Sequence, residues 1–353
     1  MKQIYLLTAF FFLTSISSNA QITDVVNPAT GGPTGFSFSG NDLYYTQFAG
    51  AIVKIDATAP TPTTPINVIS GLSDPEGIVV AGNIIYFTQS ANKISKIDIT
   101  ATTPVIIDVA TGLNEPNGMV LNGNDLYIAE IGSGKISKID ITDPTPANPV
   151  DVITGLNTPL GLALNGNDLY IVEVDGNKVS KIDITANTPV KTDVVIGLNK
   201  PLYIQLSGTV LYISEADGNK ISKIDITAST PTTTTTLVTV DSPECIALHG
   251  DDLYYSAFPD VGPTIIGKIN LAPLSITENL NKETVKIYPN PTTDYIQISG
   301  VTEEMNYTIY DLLGKEITTG IISAQNKVDV QDLSNGIYFL KFTKGTAIKF
   351  VKE

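Results

Sequence analysis

Short runs of alternating apolar and polar residues, separated by glycine-containing turns, fill most of this chain. In residues 155–185 these runs are Gly-Leu-Ala-Leu, Leu-Tyr-Ile-Val-Glu and Lys-Val-Ser-Lys-Ile-Asp-Ile. Asn-Gly-Asn-Asp and Asp-Gly-Asn lie between them, and both contain strong hairpin signals. A fourth run, Lys-Thr-Asp-Val-Val-Ile, follows a Thr/Pro-containing loop. The pattern predicts four antiparallel strands, which we label A to D.

The four-strand unit recurs six times. Its Lys-Ile-Asp signature, Lys-Ile-Asn in the last copy, recurs at spacings of 42, 42, 43, 42 and 45 residues, ending at Asp56, Asp98, Asp140, Asp183, Asp225 and Asn270. Such a period is typical of an array of small units, and four antiparallel strands per unit are typical of a propeller blade. The predicted fold is all-β, a six-bladed β-propeller over residues 21–272. The sixth unit lacks a strand D, so we expect residues 22–26 to supply it and close the ring.

The N-terminal segment differs from the repeats in composition. Within residues 1–20, Lys2 is the one charged residue, residues 4–13 are apolar, and Ser-Asn-Ala ends the segment. This pattern predicts a secretory signal peptide and export through the periplasm. The alternative is a transmembrane anchor, which needs about 20 apolar residues. We expect no transmembrane segment elsewhere.

The charge and the cysteine content narrow the classes of function. The formal net charge is −15, or −16 without Lys2, and no basic cluster occurs. Nucleic-acid binding requires such a cluster, so we expect no nucleic-acid partner. Cys245 is the one cysteine, and its place in a strand A favours a buried structural thiol over a nucleophile.

Three Thr/Pro-rich loops are predicted between strands C and D, at residues 57–65, 142–149 and 228–236. Proline beside an outer strand blocks further strand pairing. We therefore expect these loops to protect the rims of the blades.

Residues 285–353 lack the repeat and follow a predicted linker at residues 273–284. Alternating runs predict a small β-sandwich with strands at residues 285–288, 295–299, 307–310, 337–343 and 347–352. Tyr-Pro-Asn-Pro-Thr (288–292), Tyr-Asp-Leu-Leu-Gly-Lys (310–315), Asp-Leu-Ser-Asn-Gly-Ile-Tyr (332–338) and Lys-Phe-Val-Lys (349–352) follow in order. This segment resembles the C-terminal sorting domain of the type IX secretion system of Bacteroidetes. The resemblance implies contact with that machinery, passage through the outer membrane, and removal of the domain with release or attachment at the cell surface.

Candidate chemistry lies at the start of each strand A, where the D–A and B–C loops of a propeller open on the central channel. One residue per blade is expected to line the channel mouth: Thr34, Glu76, Asn117, Leu160, Leu202 and Glu244. Neighbouring carboxylates raise each other's pKa unless a cation or a proton intervenes. Glu76, Asn117 and Glu244 would offer the oxygen ligands that Ca²⁺ or Mg²⁺ takes. The alternative is a wide, wet mouth with solvated carboxylates.

The end of strand B defines a second ring: Gln47, Gln89, Glu130, Glu173, Glu215 and Ala257. A side-chain acceptor before a glycine-containing turn commonly binds the N–H groups of that turn. We favour this structural role, with pairing to Lys135, Lys178 and Lys220. The aspartate of Lys-Ile-Asp has a similar role, anchoring the loop after strand C.

His249 is the one histidine and falls in the A–B turn, on the face opposite the mouth. A Ser-His-Asp triad at the channel is therefore excluded.

The motifs Gly-Leu-x-x-Pro-x-Gly, Leu-Tyr-Ile-x-Glu and Lys-Ile-Ser-Lys-Ile-Asp, spread over residues 22–270, resemble the six-bladed group of NHL-repeat, gluconolactonase-like and strictosidine-synthase-like proteins. For gluconolactonase-like enzymes the resemblance implies a divalent cation at the mouth, and Glu76, Asn117 and Glu244 match its ligands in kind. The expected catalytic Asp has no counterpart at Leu160 or Leu202. The predicted function is a secreted or surface-attached module that binds a small molecule, a glycan or a protein. The alternative is a divalent-cation-dependent hydrolase of the lactonase type.

Overall fold

A computed structural model describes residues 22–271, 286–299, 305–311, 315–322, 327–342 and 347–353. The predicted signal peptide and linker lie outside these ranges. Within them the regular structure consists of strands, and no helix could cross a membrane. The chain divides into two compact units, Met1–Leu271 and Ala272–Glu353.

The first unit is a six-bladed β-propeller, and each blade is a four-stranded antiparallel sheet. The first strand is β1 (Ile22–Val26). Blade one contains β2 (Pro33–Ser39), β3 (Asp42–Gln47), β4 (Ala51–Asp56) and β5 (Ile66–Ser70). Blade two contains β6 (Pro75–Ala81), β7 (Ile84–Gln89), β8 (Lys93–Asp98) and β9 (Ile107–Thr111). Blade three contains β10 (Pro116–Asn122), β11 (Asp125–Glu130), β12 (Lys135–Asp140) and β13 (Val150–Thr154).

The remaining blades repeat this order. Blade four contains β14 (Pro159–Asn165), β15 (Asp168–Glu173), β16 (Lys178–Asp183) and β17 (Thr192–Ile196). Blade five contains β18 (Pro201–Ser207), β19 (Val210–Glu215), β20 (Lys220–Asp225) and β21 (Thr235–Thr239). Blade six contains β22 (Pro243–His249), β23 (Asp252–Ala257) and β24 (Ile265–Asn270), with β1 as its fourth strand.

The outer strand of blade six comes from the N-terminal side, as predicted. β1 pairs antiparallel with β24, with Ile22 opposite Ile269. Val25 and Val26 of β1 are buried in a hydrophobic cluster that also contains Phe36 of blade one. The innermost strands of neighbouring blades contact one another, and β22 contacts both β18 and β2.

The blades associate in pairs through the Thr/Pro-rich loops of blades one, three and five. Each loop donates one backbone hydrogen bond to the outer strand of the preceding blade: Thr63 N to Val25 O (2.8 Å), Ala147 N to Val109 O (2.7 Å) and Thr232 N to Val194 O (3.0 Å). These valines are buried. The outer edge of every second blade is therefore covered, in keeping with the predicted role of the loops.

The repeated Lys-Ile-Asp motif anchors the loop after strand C, as expected. In blade four, Asp183 Oδ1 accepts the backbone N–H of Thr185 at 2.8 Å and its hydroxyl at 2.6 Å. The same pair of hydrogen bonds recurs in four other blades, at Asp56, Asp98, Asp140 and Asp225. The motif is therefore structural.

The second unit consists of two small sheets that share one hydrophobic cluster. Its strands are β25 (Lys286–Tyr288), β26 (Tyr295–Ser299), β27 (Met305–Asp311), β28 (Glu316–Ile322), β29 (Lys327–Asp329), β30 (Gly336–Phe342) and β31 (Ala347–Lys352). The sheet orders are β25-β26-β29 and β28-β27-β30-β31. β28 and β29 are absent from the sequence prediction, because β28 is an edge strand with mostly exposed residues and β29 has three residues.

Candidate functional site at the channel mouth

The six predicted mouth residues occupy one position, the second residue of the innermost strand in each blade. Thr34 and Asn117 are buried. The other four are partly exposed: Glu76, Leu160, Leu202 and Glu244. The preceding proline pairs with the last residue of the second strand, as Pro75 does with Gln89, so the second ring lies beside the first.

The residue after each mouth position is glycine in blades one to four, because the inner strands approach one another closely there. A Cβ atom on Gly77 would lie 1.9 Å from the carbonyl oxygen of Asn117, and one on Gly118 would lie 2.0 Å from that of Leu160. Blades five and six carry Tyr203 and Cys245 at this position. In these two blades a side chain therefore occupies the position that glycine leaves empty in the other four.

Tyr203 crosses the channel. Its hydroxyl lies 2.8 Å from Asn117 Oδ1 in blade three and 2.9 Å from the carbonyl oxygen of Thr34 in blade one. Neither blade is a neighbour of blade five, so the side chain must span the axis to reach them. Burial is the main cause that raises the pKa of the phenol well above its usual value, so it stays a hydrogen-bond donor. Tyr203 is not among the residues predicted from the sequence, although a tyrosine in a position where four blades carry glycine is a visible signal.

A cavity of about 40 Å³ lies on the axis, lined by residues of the inner strands of all six blades and by Tyr203. Its lining residues, such as Ile78 and Leu162, follow the mouth positions along their strands. The cavity therefore lies inward of Tyr203. It would hold a few water molecules, since each needs roughly 10–15 Å³.

Glu76 and Asn117 come together at the mouth. The Asn117 amide donates a hydrogen bond to Glu76 Oε2, while its Oδ1 faces the Tyr203 hydroxyl. Burial raises the pKa of the Glu76 carboxyl, and the charges of Asp74 and Glu115 raise it further. The charged form of Glu76 is thus disfavoured in the folded protein.

Glu244, the third predicted cation ligand, is not joined to this pair. No hydrogen bond or ion pair connects it to Glu76 or Asn117 in the described part of the chain. Burial raises the pKa of Glu244, while the charge of Lys200 acts in the opposite direction. Only two of the three predicted cation ligands, Glu76 and Asn117, are therefore in contact. No group of three or more His, Cys, Asp or Glu suited to a metal occurs among the described residues. The cation site stays a prediction.

The second ring is structural, but its partners differ from those predicted. Its residues, all buried, are Gln47, Gln89, Glu130, Glu173, Glu215 and Ala257. Gln89, Glu130, Glu173 and Glu215 accept a backbone N–H from the loop before the inner strand, 16 residues upstream: Ser73, Asn114, Asn157 and Asn199. The turn that follows each acceptor was the predicted partner. The correction arises because antiparallel pairing brings the end of the second strand beside the start of the first.

The predicted lysine pairs are present in the second ring. Lys135, Lys178 and Lys220 lie 3.5, 3.7 and 3.4 Å from Glu130, Glu173 and Glu215. Burial opposes the charge of Glu173, but the N–H of Asn157, the hydroxyl of Ser180 and Lys191 outweigh it and lower its pKa. Each of these carboxylates has a lysine partner within the fold, although Glu130 Oε1 accepts no hydrogen bond among the described residues, so they are poor candidates for ligand binding.

Two other residues singled out in the sequence have structural roles. Cys245 is buried, and burial raises the pKa of its thiol, so the predicted structural thiol is favoured over a nucleophile. His249 is the last residue of β22 rather than a turn residue, and its ring stacks on Phe38 of blade one at a centroid distance of 4.6 Å. Aromatic packing at the junction of blades six and one explains this position.

Replacement of Glu76 by glutamine is expected to stabilise the protein at neutral pH. The raised pKa means that folding disfavours the carboxylate, and glutamine keeps an acceptor for Asn117 without the charge. Stability linked to this group is greatest below the unfolded pKa, about 4.3, and is lost as pH rises through the folded pKa. The gain in melting temperature for Glu76→Gln should therefore shrink toward pH 4. Asp143→Asn, at an exposed position, is the control and should show no such trend.

Comparison with known families identifies the second unit. Residues 286–353 match the model of the secretion system C-terminal sorting domain. This match confirms the resemblance to the type IX sorting domain. The protein is therefore exported, with secretion or display at the cell surface, and its C-terminal unit implies interaction with the secretion machinery.

Solved structures with the same architecture match the propeller. A luciferin-regenerating enzyme aligns at 12% identity and a TM-score of 0.59, covering 72% of this chain and 96% of that one. A catalytically inactive virginiamycin B lyase from Staphylococcus aureus with quinupristin aligns at 17% identity and a TM-score of 0.52. The match covers 71% of this chain and 99% of the lyase. A PQQ-bound aldose sugar dehydrogenase from Streptomyces coelicolor aligns at 14% identity and a TM-score of 0.52. The match covers 71% of this chain and 98% of the dehydrogenase. No curated protein matches the sequence.

At these identities the likeness to solved structures concerns the fold alone. The class of protein is nevertheless defined by its two parts: it is an exported six-bladed β-propeller with a C-terminal sorting domain.

Proposed function

We propose that this protein is an exported binding module and that the channel-mouth face of its propeller is the ligand surface. The observation that carries the proposal is the pair of partly buried carboxylates at the mouth, Glu76 and Glu244. Burial raises the pKa of each, so each charge opposes folding at neutral pH. Groups that cost stability and sit in a concave site are candidates for function.

The position of Tyr203 supports binding at the surface of the mouth. Its side chain spans the channel and leaves a cavity of about 40 Å³ behind it. Sites that engulf a small molecule usually have about 300–1,000 Å³. A macromolecular ligand that rests on the mouth face suits this geometry better, and the net charge of −15 argues against nucleic acid.

The lactonase-type hydrolase has less support from the contacts. It requires Glu76, Asn117 and Glu244 to share one cation, whereas both polar ends of the Asn117 amide are engaged, by Glu76 and by Tyr203. Calorimetric binding of Ca²⁺ at millimolar concentration, abolished by Glu76→Gln, would favour the hydrolase.

A selection experiment tests the binding surface. Peptides from a random displayed library are selected on the full-length wild-type protein and then tested on two variants with the same substitution. Leu160→Arg lies at the mouth, and Asn124→Arg lies on the exposed turn between the first and second strands of blade three, on the opposite face. We expect most selected peptides to lose at least tenfold in affinity for Leu160→Arg and to bind Asn124→Arg unchanged. Equal binding to both variants, or loss on Asn124→Arg alone, would contradict the proposal.

A further inference from the structure

The junction between blades six and one departs from the repeat on the mouth face. Seven residues, 258–264, connect β23 to β24, whereas the corresponding connections in the other blades have three or four. Val261 in this connection is 91% exposed. In repeat proteins, insertions of this kind commonly lie on the binding face. The junction therefore carries the longest connection between the second and third strands of a blade on the mouth face.

Two phenylalanine side chains flank a glycine at this junction. A Cβ atom on Gly32 would lie 3.0 Å from Phe48 Cδ2 and 3.7 Å from Phe258 Cε1. The two rings make no aromatic contact with each other among the described ring pairs, and Phe48 is 54% exposed. We call this arrangement the Phe48–Phe258 slot. The corresponding positions in the other blades carry no aromatic residue: Ser90, Ile131, Val174 and Ala216.

Glu244 is the carboxylate closest along the chain to the contacts that join the slot to blade six. Phe258 N donates to Ser242 O at 3.2 Å, two residues before Glu244. The Cys245 thiol lies 3.9 Å from the carbonyl oxygen of Pro33, the residue after Gly32. These contacts join both sides of the slot to residues one or two positions from Glu244 in the chain. Among the described residues its carboxylate has no ion pair, and Lys200, whose charge acts on it, pairs with Asp217 at 3.5 Å.

We infer that the Phe48–Phe258 slot and Glu244 bind one arginine or lysine side chain of a partner polypeptide, an inference that rests on the proposed function. A cation over an aromatic face is attracted by the ring quadrupole. The apolar stem of such a side chain packs against the rings, and its charged end pairs with a carboxylate. Arginine fits best, because its planar group also stacks on aromatic rings.

A polypeptide is a better occupant than a free small molecule. The slot is open to solvent at Phe48, so it would bury one side chain rather than most of a ligand. The mouth also offers further negative charge at Asp74, Glu76 and Glu115, which would attract a basic segment beyond the single side chain.

The direct test is an NMR titration of the full-length protein with N-acetyl-arginine amide. We expect saturable shifts in the millimolar range at the amides of Gly32, Phe48 and Phe258. N-acetyl-citrulline amide has nearly the same shape without the charge and should bind at least tenfold more weakly. Phe48→Ala and Glu244→Gln should each weaken the arginine probe at least fivefold. Ser90→Ala, at the equivalent of Phe48 in blade two, should leave binding unchanged.

Any of three results would overturn the inference. The first is equal binding of the citrulline and arginine probes. The second is the absence of arginine-dependent shifts at the slot, and the third is that Phe48→Ala leaves these shifts intact. Phe48→Leu, which keeps an apolar side chain, guards against a folding defect in Phe48→Ala. If the displayed peptides still require the mouth but carry no basic residue, the slot inference fails while the proposed function stands. If they ignore Leu160→Arg, the proposed function itself fails.

Discussion

A chain that begins at Asn27 is expected to lose about 3–6 kcal/mol of stability relative to a chain that begins at Gln21. The loss arises because β1 is the outer strand of blade six, and Val25 and Val26 are each 2% exposed. Full burial of a valine is worth about 1.5–3 kcal/mol. The deletion also removes the acceptor for Thr63 N and exposes the edge of β24. For a domain of this size the melting temperature should fall by on the order of 10 °C.

Point substitutions distinguish the stability that comes from burying the β1 side chains from the stability that comes from pairing β1 with β24. Val25→Ala and Val26→Ala together should reproduce much of the loss, whereas Ile22→Ala should have little effect because Ile22 is 44% exposed. Thermal unfolding followed by circular dichroism measures all three. A melting temperature that does not change on deletion of β1 would mean that another segment completes blade six.

Tyr203→Ala is expected to cost about 3 kcal/mol, the lower end of the range for removal of a large aromatic side chain, because Tyr203 is partly buried. The ring spans the channel beside the axial cavity and packs against the clusters around blades five, six and one. Tyr203→Phe keeps the ring but leaves Asn117 Oδ1 and the Thr34 carbonyl without their donor. An unsatisfied buried acceptor costs about 1–3 kcal/mol, so this variant should show a smaller loss.

Tyr212→Phe in the same blade is the matched control for the hydroxyl. Tyr212 is buried, and burial is the one cause that raises the pKa of its hydroxyl, with no hydrogen bond to a protein group among the described residues. Denaturant titration should therefore give a free energy of unfolding close to that of the wild type for Tyr212→Phe. Equal stability of Tyr203→Phe and wild type would mean that the hydroxyl does not bind across the channel.

Most of the propeller could be predicted from the sequence, because its strands are specified locally. Alternating apolar and polar residues and the turn residues between them mark each strand, and the same pattern recurs about every 42 residues. Even the pairing of residues 22–26 with the sixth unit follows from counting strands. β28 could not be found this way, since Glu316–Ile322 is mostly exposed and lacks regular apolar alternation.

The candidate site was less predictable, because its contacts join residues from different blades. The sequence placed Glu76, Asn117 and Glu244 at one level of the channel, but not which of them touch. Tyr203 reaches Asn117 from two blades away, and no local pattern encodes that contact. The partners of Glu130 and Glu173 lie 16 residues upstream rather than in the adjacent turn, since strand pairing sets that distance.

We propose that ligands bind on the mouth face, above Tyr203. Amide hydrogen exchange of the full-length protein, with and without a selected peptide, tests it most directly. We expect slower exchange in the connections at the mouth, including residues 27–32, 48–50 and 258–264, and unchanged exchange in the turns at residues 40–41, 123–124 and 250–251 on the opposite face. Protection confined to those opposite turns would contradict it.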